Sequence, residues 1–143
     1  MFKYGVASGH LNPIHHGHCQ YVKAASWLCD RLIFIVNNDI QVRLKGNVPI
    51  LEELARVEIA ESIRWINEVV LSIDNDSSVC ETLRLIHSRS GGNQITFFNS
   101  GDRHPTNQNS SESLVCQELG INQVFLDLPK IESSTNMRNR ARS

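Results

Sequence analysis

The stretch Arg31-Leu-Ile-Phe-Ile-Val36 is a short, continuous apolar run. Such a run is typical of a strand buried on both faces of a parallel sheet. Before it, residues 2–8 alternate as a strand, and apolar residues recur at helical spacing from Gly17 onward. After it, residues 40–50 show no regular pattern, and Glu52 to Ile66 carries the apolar stripe of a helix. The buried run is therefore expected to lie between two helices and beside another strand.

The same alternation continues to the carboxyl end. Strands are predicted at residues 68–73, 94–98 and 124–128, and helices around Val79–Ile86, over 113–119 and from Ser133 onward. Alternating strands and helices imply a parallel sheet joined by right-handed crossovers. We therefore expect a single α/β domain over residues 1–143, a Rossmann-like, doubly wound, five-stranded parallel sheet with helices on both faces.

Composition narrows the class of protein. The 143 residues are 41% hydrophobic and carry a net charge of −1, with 14 basic and 15 acidic side chains. We expect no membrane span, because no apolar stretch is long enough, and no nucleic-acid partner, because a basic excess is absent. The start lacks signal-peptide organisation, and the four cysteines form no C-x-x-C pair, so we expect a cytoplasmic protein with reduced thiols packed on helices.

The loop after the first predicted strand holds a histidine cluster. His15 and His18 are three residues apart where a helix begins, with Gly17 between them. A helix start offers unpaired N–H groups and a positive dipole end, which suits a phosphate. Two alternatives stay open: a metal site that also uses His10 and His16, and surface histidines without a role.

Two further loops carry cationic or hydroxyl groups. The run Glu132-Ser-Ser-Thr-Asn-Met-Arg138 places hydroxyls at a helix start and an arginine one turn inside, which predicts a second anion cradle. A plain capped helix is the alternative. Lys45 follows the second strand, with Arg56 on the helix behind it, and a solvated lysine is the alternative there.

These motifs resemble a known superfamily. Residues 9–18, Gly-x-Leu-Asn-Pro-Ile-His-x-Gly-His, resemble the H-x-G-H signature of the nucleotidyltransferases, which include glycerol-3-phosphate cytidylyltransferase and the nicotinate-mononucleotide adenylyltransferases. Ser133-Ser-Thr-x-x-Arg138 resembles their S-S-T-x-x-R signature. The Arg43–Gly46 loop, the helix after it and Gly101-Asp102 resemble the glycerol-phosphate and heptose-phosphate enzymes. His10-Leu11 and Asn12 depart from the common pattern, which has Asp at position 12.

The resemblance implies a reaction. CMP or AMP would pass from CTP or ATP to the phosphate of a small sugar or polyol phosphate, releasing pyrophosphate. Mg²⁺ would be bound through the nucleotide phosphates, not by a protein metal site. The attacking phosphate oxygen has a second pKa of about 6, so it needs no general base, and His15 and His18 would act as hydrogen-bond donors to the α-phosphate.

The resemblance also assigns residues. The catalytic set is His15, His18, Lys45 and Arg138. Lys45 would also bind the substrate phosphate, together with Arg56 and Arg103. For Arg56, a structural role that links its helix to the site is the alternative. The nucleotide would be bound by Gly9, His10, Leu11, Gly17, Asp102, Lys130, Ser133, Ser134 and Thr135. A homodimer is a further expectation, and a non-catalytic nucleotide-binding module or a metal-binding protein are the alternative functions.

Overall fold

The computed structural model describes residues 1–100 and 110–128. Strands and helices alternate along the chain, apart from one additional short helix. The strands are β1 (Phe2–Gly9), β2 (Cys29–Val36), β3 (Glu68–Leu71), β4 (Ile95–Asn99) and β5 (Asn122–Phe125). The helices are α1 (His16–Ser26), α2 (Asp39–Leu44), α3 (Glu53–Glu61), α4 (Cys80–Arg89) and α5 (Ser111–Leu119).

The five strands form one parallel sheet in the order β3-β2-β1-β4-β5. The chain fills the sheet outward from β1 in one direction through β3, and then returns to the other side of β1 with β4. The order therefore reverses between β1 and β4. Ligands bind in such sheets beyond the carboxyl ends of the strands at this reversal. The predicted fold class is confirmed.

Alternate residues of the central strands supply two separate cores. On β1 and β2, Ala7 and Phe34 face one core, whereas Val6 and Ile35 face the other. Helix α1 and the end of α3 cover the first core, and α4 and α5 cover the second. A strand with both faces covered needs apolar residues at every position, which explains the continuous run in β2. Each large side chain buried in this way contributes about 1.5–3 kcal/mol.

The structure corrects three sequence predictions. Residues 40–50 are not irregular throughout, because they include most of helix α2. The helix predicted over 52–66 ends at Glu61 and buries Arg56 and Ala60, while Leu51 remains 43% exposed. The last strand lies at Asn122–Phe125, not at 124–128.

The cysteines and the helix lengths bear on two other expectations. All four cysteines are free, although Cys29 begins β2 and does not lie on a helix. Among the described residues, no helix is both long and apolar enough to cross a membrane.

Candidate functional site

A cavity of about 330 Å³ lies where the strand order reverses. Its walls come from the loop after β1, the start of α1, the ends of β2 and β4, and the segment around Lys45. Four of the predicted site residues line it: Gly9, His10, His18 and Lys45. The sheet topology thus brings together residues that are up to 36 positions apart in the first third of the chain.

His15 and His18 are held by the backbone at the start of α1. The Gly17 N–H donates to His15 Nδ1 at 3.0 Å, and the His15 N–H donates to His18 Nδ1 at 3.1 Å. The ring centroids lie 3.8 Å apart. Because each Nδ1 accepts a hydrogen bond, the proton of each neutral ring is on Nε2. The backbone therefore fixes both rings in the tautomer that presents an Nε2–H donor.

His18 is also kept neutral. Burial, followed by the nearby His15 and His10 rings, lowers the pKa of His18 to about 3. A charged ring would place a proton on Nδ1, where the His15 N–H already donates. His18 is thus a neutral hydrogen-bond donor at pH 7, and the charge of its ring does not change near that pH.

The other predicted residues of the first loop differ in where they lie relative to the cavity. Gly9 lines the cavity, and a Cβ there would meet the Phe34 ring at 3.2 Å. Leu11 has a φ of 52° and a side chain buried in the core, so it can face the cavity through its backbone alone. His15 caps α1 and lies beside His18, and Gly17 donates its N–H to the His15 ring.

The Lys45 segment is fastened to the first loop by Asn12. The Asn12 amide donates to the Val48 carbonyl at 3.0 Å and accepts from the Ile50 N–H at 2.7 Å. The side chain is 3% exposed. An amide can make both bonds, whereas an ionised carboxylate can only accept. Asn12 therefore serves as a link between two loops, which accounts for an amide at a position where the resembling enzymes commonly carry Asp.

Arg56 supports the loops that follow β1 and β2, and it does not line the cavity. Its guanidinium is fully buried and donates to the carbonyls of His10 at 2.7 Å, Asn37 at 2.6 Å and Leu51 at 3.1 Å. It also pairs with Asp39 at 2.7 Å. A side chain without exposed surface cannot contact a substrate in this arrangement. We therefore replace the expected substrate contact with a positioning role for the loops that follow β1 and β2.

The remaining predicted residues lie outside the described part of the chain. They are Asp102, Arg103, Lys130, Ser133, Ser134, Thr135 and Arg138, together with the helix predicted from Ser133. Their contribution to the cavity stays a prediction.

The structure adds lining residues to which the sequence analysis gave no role in the site. Asn37 and Asn99 end up in the wall because each stands at the carboxyl end of a central strand. Tyr21 and Glu112 are buried and come from α1 and α5. A polar residue directly after a buried strand was a usable signal for the two asparagines. No comparable signal marks Tyr21 or Glu112.

The histidine cluster does not form a metal site among residues 1–100 and 110–128. No group of three or more His, Cys, Asp or Glu side chains in these ranges could hold a metal ion. The bonds from backbone N–H groups also occupy the Nδ1 atoms of His15 and His18. This arrangement gives the metal-binding alternative no support.

Known proteins share both sequence and fold with this chain. The FAD synthase of Thermoplasma acidophilum is 30% identical over 71 residues, half of each chain. The bifunctional protein HldE of Bradyrhizobium sp. is 27% identical over 141 residues, which are 97% of this chain and 27% of that protein. The chain thus spans about half the length of the first relative and about a quarter of the second.

Solved structures share the fold of this chain. The lipopolysaccharide core biosynthesis protein of Thermoplasma volcanium has a TM-score of 0.71 at 20% identity, over 92% of this chain and all of that chain. A bifunctional NMN adenylyltransferase/ADP ribose pyrophosphatase of Francisella tularensis has a TM-score of 0.71 at 16% identity, over 98% of this chain and 42% of that one. These identities show the fold alone. Residues 6–123, most of the chain, match the cytidylyltransferase-like family, and the chain therefore belongs to that family.

Proposed function

We propose that this protein is a nucleotidyltransferase that moves a nucleoside monophosphate from ATP or CTP to the phosphate of a small sugar or polyol phosphate. The observation that carries the proposal is His18, a neutral ring whose backbone bond leaves Nε2–H as the donor at the cavity. A phosphate that gains charge in the transition state needs such a donor, fixed in place before the reaction.

The bond changes need no protein nucleophile. An oxygen of the acceptor phosphate attacks the α-phosphorus, a new P–O bond forms, and the bond from the α-phosphorus to the bridging oxygen breaks. Pyrophosphate leaves with that electron pair. Because the attacking oxygen is already ionised, the protein has to orient the two phosphates and stabilise the charge on the α-phosphate. His18 would donate to the α-phosphate from the cavity wall, and His15 would donate from its place beside the His18 ring. The N-terminus of α1 would add its positive dipole end.

The cavity also contains one flexible cation among the described residues that line it. Lys45 is exposed and borders the cavity beside Asn47. It would neutralise the acceptor phosphate or the outer phosphates of the nucleotide. The predicted hydroxyls Ser133, Ser134 and Thr135 and the guanidinium of Arg138 would hold the β- and γ-phosphates, with Lys130 as a further candidate. Asp102 would contact the nucleotide, and Arg103 would bind the acceptor phosphate.

Mg²⁺ fits this site as a partner of the nucleotide. The described residues that line the cavity offer one carboxylate, Glu112, and the amide of Asn12 is engaged with backbone. The triphosphate oxygens would therefore hold the ion, which would neutralise charge on the leaving pyrophosphate. A Mn ion and AMP are bound in one crystal structure of the Francisella protein.

The proposed acceptor rests on the resemblance of one segment of the chain to known enzymes, and both ATP and CTP are candidate nucleotides. The Arg43–Gly46 segment, which spans the end of α2, resembles the glycerol-phosphate and heptose-phosphate enzymes. Adenine nucleotides recur among the similar structures, one of which is Thermotoga maritima TmcAL with alpha-thio ATP. ATP is therefore the first nucleotide to test.

The decisive experiment measures pyrophosphate release. Each nucleoside triphosphate is combined with a panel of sugar and polyol phosphates and Mg²⁺, first with the wild-type chain. The active pair is then repeated with His18→Ala, which should lower kcat about 100- to 1,000-fold, the usual loss for one such donor.

The neighbouring His16 provides a matched control, because it is exposed on the same turn of α1. His16→Ala should retain wild-type kcat. Nucleotide binding without turnover for every acceptor would favour the non-catalytic module. A fully active His18→Ala chain would remove His18 from the chemistry.

A further inference from the structure

The hydrogen-bond ladder between β1 and β4 ends before the strands do. Its register pairs Tyr4 with Ile95, Gly5 with Thr96 and Val6 with Phe97. If the same register continued, Ser8 would lie opposite Asn99. Both of these residues instead line the cavity. The point at which the ladder stops is therefore the inner end of the cavity, which we also call the nucleotide crevice.

The backbone of Ser8 is directed toward β4. Gly9, the next residue, faces the opposite neighbour, because its carbonyl accepts from the Asn37 N–H at the end of β2. Successive residues of a strand direct their backbone groups to opposite sides. In a continued parallel ladder, the Ser8 N–H would donate to the carbonyl of Phe98, the residue before its partner.

The hydroxyl of Tyr21 stands between those two groups. It accepts from the Ser8 N–H at 3.4 Å and donates to the Phe98 carbonyl at 2.6 Å. Tyr21 belongs to α1 and is 7% exposed. One hydroxyl thus replaces one direct ladder bond, which would measure about 2.9 Å. Both backbone groups keep a partner, so the strands separate without leaving an unpaired polar atom.

We propose that the Tyr21 hydroxyl is the positioning group that holds β1 and β4 apart and thereby sets the width of the nucleotide crevice. As a statement about nucleotide binding, this inference rests on the proposed function. Tyr21 itself does not take part in the bond changes. It acts through Ser8 and Asn99, whose separation it fixes.

Removal of this one oxygen atom should allow the ladder to close. In Tyr21→Phe, the Ser8 N–H and the Phe98 carbonyl are left to bond with each other directly. The crevice then narrows for the substrate and for the transition state alike. Loss of such uniform binding raises KM and leaves kcat nearly unchanged. We expect KM for the nucleoside triphosphate to rise about tenfold, with kcat within about threefold of wild type.

The test combines a crystal structure of Tyr21→Phe with steady-state kinetics and calorimetric titration with ATP and CTP. Tyr4→Phe is the matched control, because Tyr4 lies on β1 and pairs with Ile95 in the part of the β1–β4 ladder that is intact. In Tyr21→Phe, we expect a Ser8–Phe98 N···O distance near 2.9 Å and weaker nucleotide binding. In Tyr4→Phe, we expect nucleotide binding and kinetics equal to those of wild type.

Each other outcome overturns the inference. Strands that stay apart in Tyr21→Phe would show that something else separates them. A drop in kcat at constant KM would place the hydroxyl in the chemistry, and a chain that no longer folds would make it a requirement of the sheet itself. The crystal structure reports on the strands even in a chain without turnover, so failure of the proposed function can be told from failure of this inference.

Discussion

Replacement of Arg56 should cost folding stability, because its guanidinium binds protein and not substrate. The side chain has no exposed surface and holds three carbonyls and the Asp39 carboxylate at 2.6–3.1 Å. Removing one member of a buried ion pair costs about 3–5 kcal/mol. Asp39 is 20% exposed, so water relieves part of its loss. The orphaned carbonyls add to the cost, at about 1–3 kcal/mol for each unpaired group.

We therefore expect Arg56→Met to lower the free energy of unfolding by about 4 kcal/mol. Arg56→Lys keeps the charge but loses the planar fork of donors, so we expect about half that loss. Urea unfolding followed by circular dichroism gives both values. Arg43→Met, an exposed arginine on α2, is the control and should stay within about 0.5 kcal/mol of wild type.

The opposite pattern would refute this reasoning. If Arg56→Met unfolds within about 1 kcal/mol of wild type while KM for the acceptor rises sharply, the guanidinium must face the substrate. The original expectation of a substrate contact would then stand.

Three other measurements follow from the structure. His18 has a folded pKa of about 3, below its unfolded value of 6.5, so the stability that it contributes is complete above pH 6.5 and is lost toward pH 3. We therefore expect His18→Asn to reduce the slope of the free energy of unfolding against pH between these two values, by up to about 1.4 kcal/mol per pH unit. Gly5→Ala puts a Cβ 2.5 Å from Phe98 and 2.7 Å from Cys29 and should cost about 1–3 kcal/mol in urea unfolding. Lys45→Ala should raise KM for a phosphorylated substrate at unchanged stability; an unchanged KM would make Lys45 a solvated residue.

The order of strands and helices was readable because its signal is local. The apolar run of β2 and the stripe of α1 each need only their own residues. Helix α2 was missed because backbone carbonyls from elsewhere in the chain hold the side chains at its start. Asn38 caps it and donates to carbonyls of Ser72 and Asp74, and Gln41 donates to two more beyond β3. A six-residue helix has little stability of its own, so these distant bonds decide its existence.

The same difference between local signals and distant contacts applies to the candidate site. The spacing of His15 and His18 was visible in the sequence, as was their place at a helix start. Their tautomers were not, since these depend on which backbone N–H each ring meets. The burial of Arg56 was also hidden, because an arginine in a helix is ordinarily exposed. Its fit depends on carbonyls from three separate loops.

The Asn12 amide has a consequence for how the two substrates influence each other. It joins the loop that precedes the histidines to the segment that carries Lys45, so we expect a displacement of one to move the other. Under the proposed function, an acceptor phosphate that binds Lys45 would therefore change the free energy with which the nucleotide site forms. Thermodynamics requires that the nucleotide alter acceptor affinity by the same factor. The Asn12 amide thus predicts reciprocal cooperativity between the two proposed substrates, which binding titrations can measure.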